Sequence, residues 1–179
     1  MELNGILEKR RSIREYAEGG RLTADMVKDF VTAALEAPSW KNTQTARYHA
    51  VLSQDMIQKI REKCFGSWNF RNTANVQALV VTAFVKDISG YRKDGTPDNE
   101  LGNGWGIYDA GLQNSIFLLK AAEAGIDSLV MGIRDAALIR ELLEIPENEE
   151  ILSVIALGER AVTPEKPLRR QTDDVLKFY

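Results

Sequence analysis

The sequence predicts an α+β fold, a small sheet flanked by helices, in a single domain spanning residues 1–179. Three observations carry this. The run QALVVTAFV at 77–85 is continuous, apolar and rich in valine, the pattern of a strand buried on both faces. Apolar residues recur at helical spacing on either side of it. Strands and helices alternate, but convincing strands are too few for a doubly wound parallel sheet.

Each element has its own signal. Residues 2–10 read as a short helix running into a basic cluster. Thr23 can cap a helix to about Ala37, with Met26, Phe30, Ala33, Ala34 and Ala37 on one stripe and Pro38 as its stop. RYHAVL, 47–52, favours a strand, and Ser53 then caps a helix to about Cys64. After the strand at 77–85, residues 86–104 are polar, glycine-rich and aperiodic, which predicts a lid or mobile loop. A long helix follows at about 106–124, with Ala110, Gly111, Asn114, Phe117, Leu118 and Ala121 along one face. Ala110 and Gly111 leave room there for another helix, from this subunit or a partner. SLVMG is a short apolar segment, Asp135 caps a helix to about Leu143 with Pro146 beyond it, and 151–158 reads as a core strand. Residues 159–179 form a polar C-terminal arm ending in VLKFY. That apolar pentapeptide must be buried, either by folding back or by adding a strand to a neighbouring subunit.

Composition narrows the function. Hydrophobic residues make up 44% and charged residues 27%, as in soluble globular proteins. No apolar run approaches the roughly 18–20 residues of a membrane span. MELNGILEKRRS does not read as a signal peptide. Cys64 is the only cysteine, so an intrachain disulfide is impossible, a Cys/His zinc site has too few ligands, and a cytoplasmic setting is expected. A net charge of −3 argues against nucleic acid or anionic membrane as partners. Yet Lys9, Arg10, Arg11 and Arg14 cluster early, and Lys166, Arg169 and Arg170 late. Local positive charge on an acidic chain suits a small anionic ligand.

Two segments carry chemistry. In Arg10-Arg11-Ser12-Ile13-Arg14, guanidinium forks and a hydroxyl match phosphate oxygens, and an extended backbone would point Arg10, Ser12 and Arg14 to one face. In Ala37-Pro38-Ser39-Trp40-Lys41-Asn42-Thr43-Gln44, a helix ends and amide side chains follow that complement the edge of a heterocycle.

In this order, these segments resemble the FMN-dependent nitroreductase family. Asn69, the helix DAGLQNSIFLLKAA at 109–122, AGIDSLVMG at 124–132 and KPLRR at 166–170 continue the likeness along almost the whole chain. The resemblance implies a mostly antiparallel sheet and a homodimer with FMN at the subunit interface. Residues matching Arg10 and Ser12 would hold the phosphate, joined by Arg170 ahead of Arg169, and Arg11 is a further cofactor-binding candidate. Arg14 would lie near the pyrimidine end of the flavin, and Asn69, Val130, Met131 and Gly132 along it. Pro38, Ser39, Trp40, Asn42 and Gln44 would come from the other subunit, and the C-terminal arm would be exchanged. It also implies ping-pong transfer from NADH or NADPH to a small conjugated acceptor such as a nitroaromatic or quinone. The chemistry would be flavin-centred, with no protein nucleophile and no metal. The same fold also suits a flavin storage or sensing protein, or a flavin-dependent dehalogenase.

Two departures stand out. Gln44-Thr45-Ala46 replaces a common Gln-Pro-Trp, and Asp127 replaces a glycine. A carboxylate facing the flavin would lower its redox potential, so Asp127 is expected to point away. His49 and Cys64 read as structural, Trp68, Phe70 and Trp105 as packing residues, and Tyr91 as a substrate-facing aromatic. Asp109 and Glu123 read as solvent-facing or capping.

Overall fold

The valine-rich run becomes the central strand because all eight of its residues are buried. The computed structural model describes residues 2–179. Helix α1 (Leu3–Lys9) and helix α2 (Ala24–Ala34) come first, then a 3₁₀ turn (Trp40–Asn42) and strand β1 (Ala46–Val51). Helices α3 (Gln54–Cys64) and α4 (Ser67–Asn72) precede strand β2 (Ala78–Val85). Helix α5 (Gly104–Glu123), strand β3 (Asp127–Met131), helix α6 (Ala136–Leu143) and strand β4 (Glu149–Gly158) complete the core, and a second 3₁₀ turn (Thr172–Asp174) lies in the C-terminal arm. Among the described residues no helix is long and apolar enough to cross a membrane.

The sheet order is β1-β2-β4-β3, and every neighbouring pair is antiparallel. Alternation along β2 sends Leu79, Val81 and Ala83 into a core with Ile57 and Ile60 of α3 and Ile139 of α6. Ala78 and Val80 enter a second core with Val27 and Phe30 of α2 and Phe117 and Ala121 of α5. Phe117 meets Phe30 edge to face at 5.7 Å and stacks on Tyr48 at 5.6 Å. Burying each phenylalanine side chain contributes about 1.5–3 kcal/mol. The sheet is thus a platform held from both faces, and its two edges remain for other work.

The cap signals act as expected: Thr23 Oγ1 accepts from Met26 N–H at 3.2 Å and Asp135 Oδ1 from Leu138 N–H at 3.0 Å. Helix α2 ends three residues before the expected Ala37: Leu35 keeps helical angles, Glu36 and Ala37 close tighter turns onto Ala33 O and Ala34 O, and Pro38 disfavours helical geometry only at Ala37 just ahead of it. Helix α4 has no counterpart in the sequence reading. It spans six residues behind Gly66, which supplies no side-chain cap, so neither periodicity nor a cap announces it.

Gly106, rather than Gly111, is the close-approach glycine of α5. A Cβ there would stand 2.2 Å from Cδ2 of Phe84, whereas one at Gly111 would meet nothing within 4 Å. Residues 86–104 carry their own turn framework: Asp98 N–H to Gly90 O at 2.7 Å, Arg92 N–H to Thr96 O at 2.8 Å, and Trp105 Nε1–H to Asn99 Oδ1 at 2.9 Å. The terminal pentapeptide does not fold back, since Val175 and Phe178 are 70% and 89% exposed.

Candidate functional site

The basic segment owes its geometry to one apolar residue. Ile13 is buried, and its N–H donates to Ser128 O of β3 at 3.0 Å. Fixing Ile13 inward turns Ser12 and Arg14 outward on an extended backbone. Ser12 makes a parallel bridge to Ser128, so the segment runs along the outer edge of β3. There Arg10, Arg11, Ser12, Arg14 and Arg169 line a cleft of about 390 Å³, with Pro164, Glu165 and Pro167. Burial, then the charges of Arg169 and Arg11, hold the Arg10 guanidinium below its usual range. Arg11 Nε is buried without a hydrogen-bond partner. A bound phosphate would offset the crowding of positive charge and give that donor an acceptor. Of the two late arginines, Arg169 lines the cleft and Arg170 does not.

Asp127 turns to Arg160, not toward the open end of β3. Arg160 Nε donates to Asp127 Oδ2 at 2.8 Å, its Nη2 donates to Oδ1, and its backbone N–H reaches Oδ2 at 3.1 Å. The bond to Asp127 raises the Arg160 pKa. Arg160 Nη2 also reaches Lys9 O at 3.3 Å, which braces the backbone just ahead of Arg10. Farther along β3, Val130 and Gly132 are exposed, while Met131 packs into the core. Strand alternation puts Met131 on the inward face, so only its backbone remains for a ligand. Asn69 donates to Ile133 O at 2.7 Å, which sets α4 against this end of β3.

The 38–44 segment lies elsewhere. Ser39 Oγ accepts from Gln44 N–H at 3.1 Å, closing the loop on itself. Lys41, Asn42 and Gln44 have φ of 47°, 57° and 50°, a left-handed backbone that non-glycine residues adopt at a cost. Trp40 packs on Trp105 of α5, ring centroids 4.4 Å apart, and Lys41 Nζ meets Asp98 Oδ2 at 2.7 Å. Pro38, Asn42 and Gln44 are exposed. The loop leads into β1, at the sheet edge opposite β3. Three strand spacings of about 4.8 Å separate these edges by roughly 14 Å. One chain therefore does not bring the 38–44 loop to the arginine cleft.

Two residues escaped the sequence reading. Asp109, expected at a solvent face or as a cap, is buried and accepts from Trp40 N–H at 2.9 Å and from the Ser89 hydroxyl. Its place in the middle of a helix gave no local sign of this. Ser89 is buried although it sits in the polar loop. Trp68, expected in core or interface packing, is 63% exposed on the single chain beside Arg71, so it is not a core residue. It belongs to a helix too short to have an inward stripe. Tyr91 is half-buried over Gly102, within its own loop. His49 pairs with Glu149 at 2.7 Å, and Cys64 is buried. Among the described residues no cluster of metal ligands occurs.

Comparison with known proteins identifies the family and the fold. Residues 7–159 match the model of the Nitroreductase family. An NADH dehydrogenase/NAD(P)H nitroreductase of Archaeoglobus fulgidus is 30% identical over 158 residues, covering 86% of this chain and 82% of that protein. A nitroreductase family protein from Streptococcus pneumoniae shares the fold with a TM-score of 0.85 at 17% identity, covering 99% of this chain and all of that one. A nitroreductase from Exiguobacterium sibiricum, solved in complex with FMN, superposes with a TM-score of 0.82 at 15% identity, covering 100% of this chain and 98% of that one.

Proposed function

The chain belongs to the nitroreductase family, and on that footing we propose that it is an FMN-dependent oxidoreductase carrying reducing equivalents from NADH or NADPH to a small conjugated acceptor, such as a nitroaromatic or a quinone. The observation that carries the proposal is the convergence of Arg10, Arg11, Ser12, Arg14 and Arg169 on one cleft at the edge of β3. This donor set fits a phosphate ester: several cations, a hydroxyl, and a buried guanidinium nitrogen still lacking an acceptor.

When bound, FMN supplies the redox chemistry, and the protein supplies binding, orientation and electrostatics. Arg10, Arg11, Ser12 and Arg169 hold the phosphate. Arg14 is outward and solvent-facing, and we assign it to the pyrimidine edge, where a cation offsets negative charge. Val130, Gly132 and the backbone of Met131 line the ring, with Asn69 beside them. Asp127, engaged by Arg160, keeps its charge out of the site. Donor and acceptor occupy the same open face in turn.

The separation of the two segments supports a homodimer. Pro38, Ser39, Trp40, Asn42 and Gln44 of one subunit complete the cleft of the other. The exposed VLKFY has a matching surface: β1 is an edge strand, beside an apolar groove of about 430 Å³ lined by Val27, Val31, Leu35, Tyr48 and Leu52. Exchange of arms would bury both. The decisive experiment is anaerobic: the purified protein should be yellow, bleach with NADH or NADPH, and recover its colour on adding a quinone. A colourless monomer indifferent to added FMN would refute the proposal.

A further inference from the structure

We infer that Asp109 is a positioning residue that fixes the 38–44 loop and ties residues 86–104 to it; its relevance to the cofactor rests on the function proposed above. The carboxylate is 2% exposed, and among the described residues no lysine or arginine pairs with it. Its partners are neutral: the Trp40 N–H at 2.9 Å and the Ser89 hydroxyl, both at Oδ2. The Thr43 hydroxyl in turn reaches Ser89 Oγ at 3.3 Å. A buried carboxylate without a cation is costly, and an apolar residue would fill the same space without that cost.

What the carboxylate holds explains its place. Trp40 opens a turn in which Lys41, Asn42 and Gln44 are all left-handed. Such a backbone persists only where its surroundings over-determine it. Asp109 grips the turn from α5, the Trp40–Trp105 contact grips it from the side, and the Lys41–Asp98 ion pair grips it from the 86–104 loop. One carboxylate oxygen is the point where α5, the cofactor-facing loop and the polar loop meet. Residues 86–104 are therefore a brace for the 38–44 loop rather than a lid moving independently of it.

The test compares the full-length protein with Asp109→Leu and Asp109→Asn. The leucine variant removes the acceptor at similar volume, whereas asparagine can still offer one oxygen to both donors. Two readouts are followed: FMN affinity, and the exciton couplet of the Trp40–Trp105 pair in circular dichroism, which needs no cofactor. Asp109→Leu should lose the couplet and bind FMN about tenfold or more weakly, and Asp109→Asn should recover most of both. If the leucine variant does not fold, Asp109→Ala, which also removes the acceptor for the Trp40 N–H and the Ser89 hydroxyl, is measured in its place and should show the same losses. Unchanged couplet and FMN affinity in these variants would overturn the inference. An unmodified protein that takes up no FMN, yet has a couplet dependent on Asp109, would instead remove the cofactor reading and leave the positioning role intact.

Discussion

At Arg10, burial and the positive neighbours Arg169 and Arg11 act in the same direction, against the charged guanidinium. A group held charged under those conditions is poised for an anion. Arg10→Ala should weaken FMN binding by about 1.5–3 kcal/mol, the range for a charge-assisted hydrogen bond, as measured by titration calorimetry. If flavin occupancy is unchanged after both Arg10 and Ser12 are removed, the phosphate lies elsewhere. Asp127 makes a different kind of prediction. Asp127→Gly leaves Arg160 unpaired and frees its brace on Lys9 O, so the chain should lose about 1–3 kcal/mol in urea denaturation. Because the carboxylate faces Arg160, the potential of bound flavin should stay where it was, as redox titration checks. At this scale the sequence exposes residue types and hides orientation. The outward turn of Ser12 and Arg14 could be read directly, because Ile13 between them is apolar, whereas Arg11, which alternation would turn away from Arg10 and Ser12, lines the same cleft. The burial of Asp109 could not, because its partners Trp40 and Ser89 are distant in the chain.

Long periodic elements were legible, and short ones were not. β2 and β4 announce themselves by apolar runs, and α2, α3 and α6 by caps at Thr23, Ser53 and Asp135. α4 has six residues and an uncapped start, yet it carries Asn69 to the end of β3, where it donates to Ile133 O. The left-handed turn at Lys41, Asn42 and Gln44 carries no glycine to mark it, since tertiary contacts rather than propensity impose it. Two glycines of α5 give contrasting tests. Gly106→Ala gains about 1 kcal/mol in helix propensity, but its Cβ would collide with Phe84, at a cost of about 1–3 kcal/mol. The net effect should be a loss of stability. Gly111→Ala meets nothing in its own chain, so the isolated chain should gain about 0.5–1 kcal/mol. If the helix packs against a second copy, the same variant should associate more weakly in analytical ultracentrifugation.

At the scale of the whole molecule, the α+β class and the antiparallel sheet followed from how few strands there are and from the family resemblance. The arm could be read as needing a burial site but not as to which one, because VLKFY fits an intramolecular or an intermolecular groove equally well. The structure leaves it off its own chain, with Tyr179 fully exposed. Deleting residues 175–179 should therefore leave the thermal unfolding of the sheet almost unchanged and, where the arm is exchanged as proposed, shift sedimentation toward the monomer and lower flavin content.

In the proposed homodimer, the distance between the two edges of the sheet has a genetic corollary. A version of the protein damaged only at the arginines and another damaged only at the 38–44 turn would each be inert alone. Co-expressed, they should form mixed pairs in which one active centre inherits both lesions and the other inherits neither. Half of the centres in such pairs should work, so two defective alleles would restore what neither supplies separately.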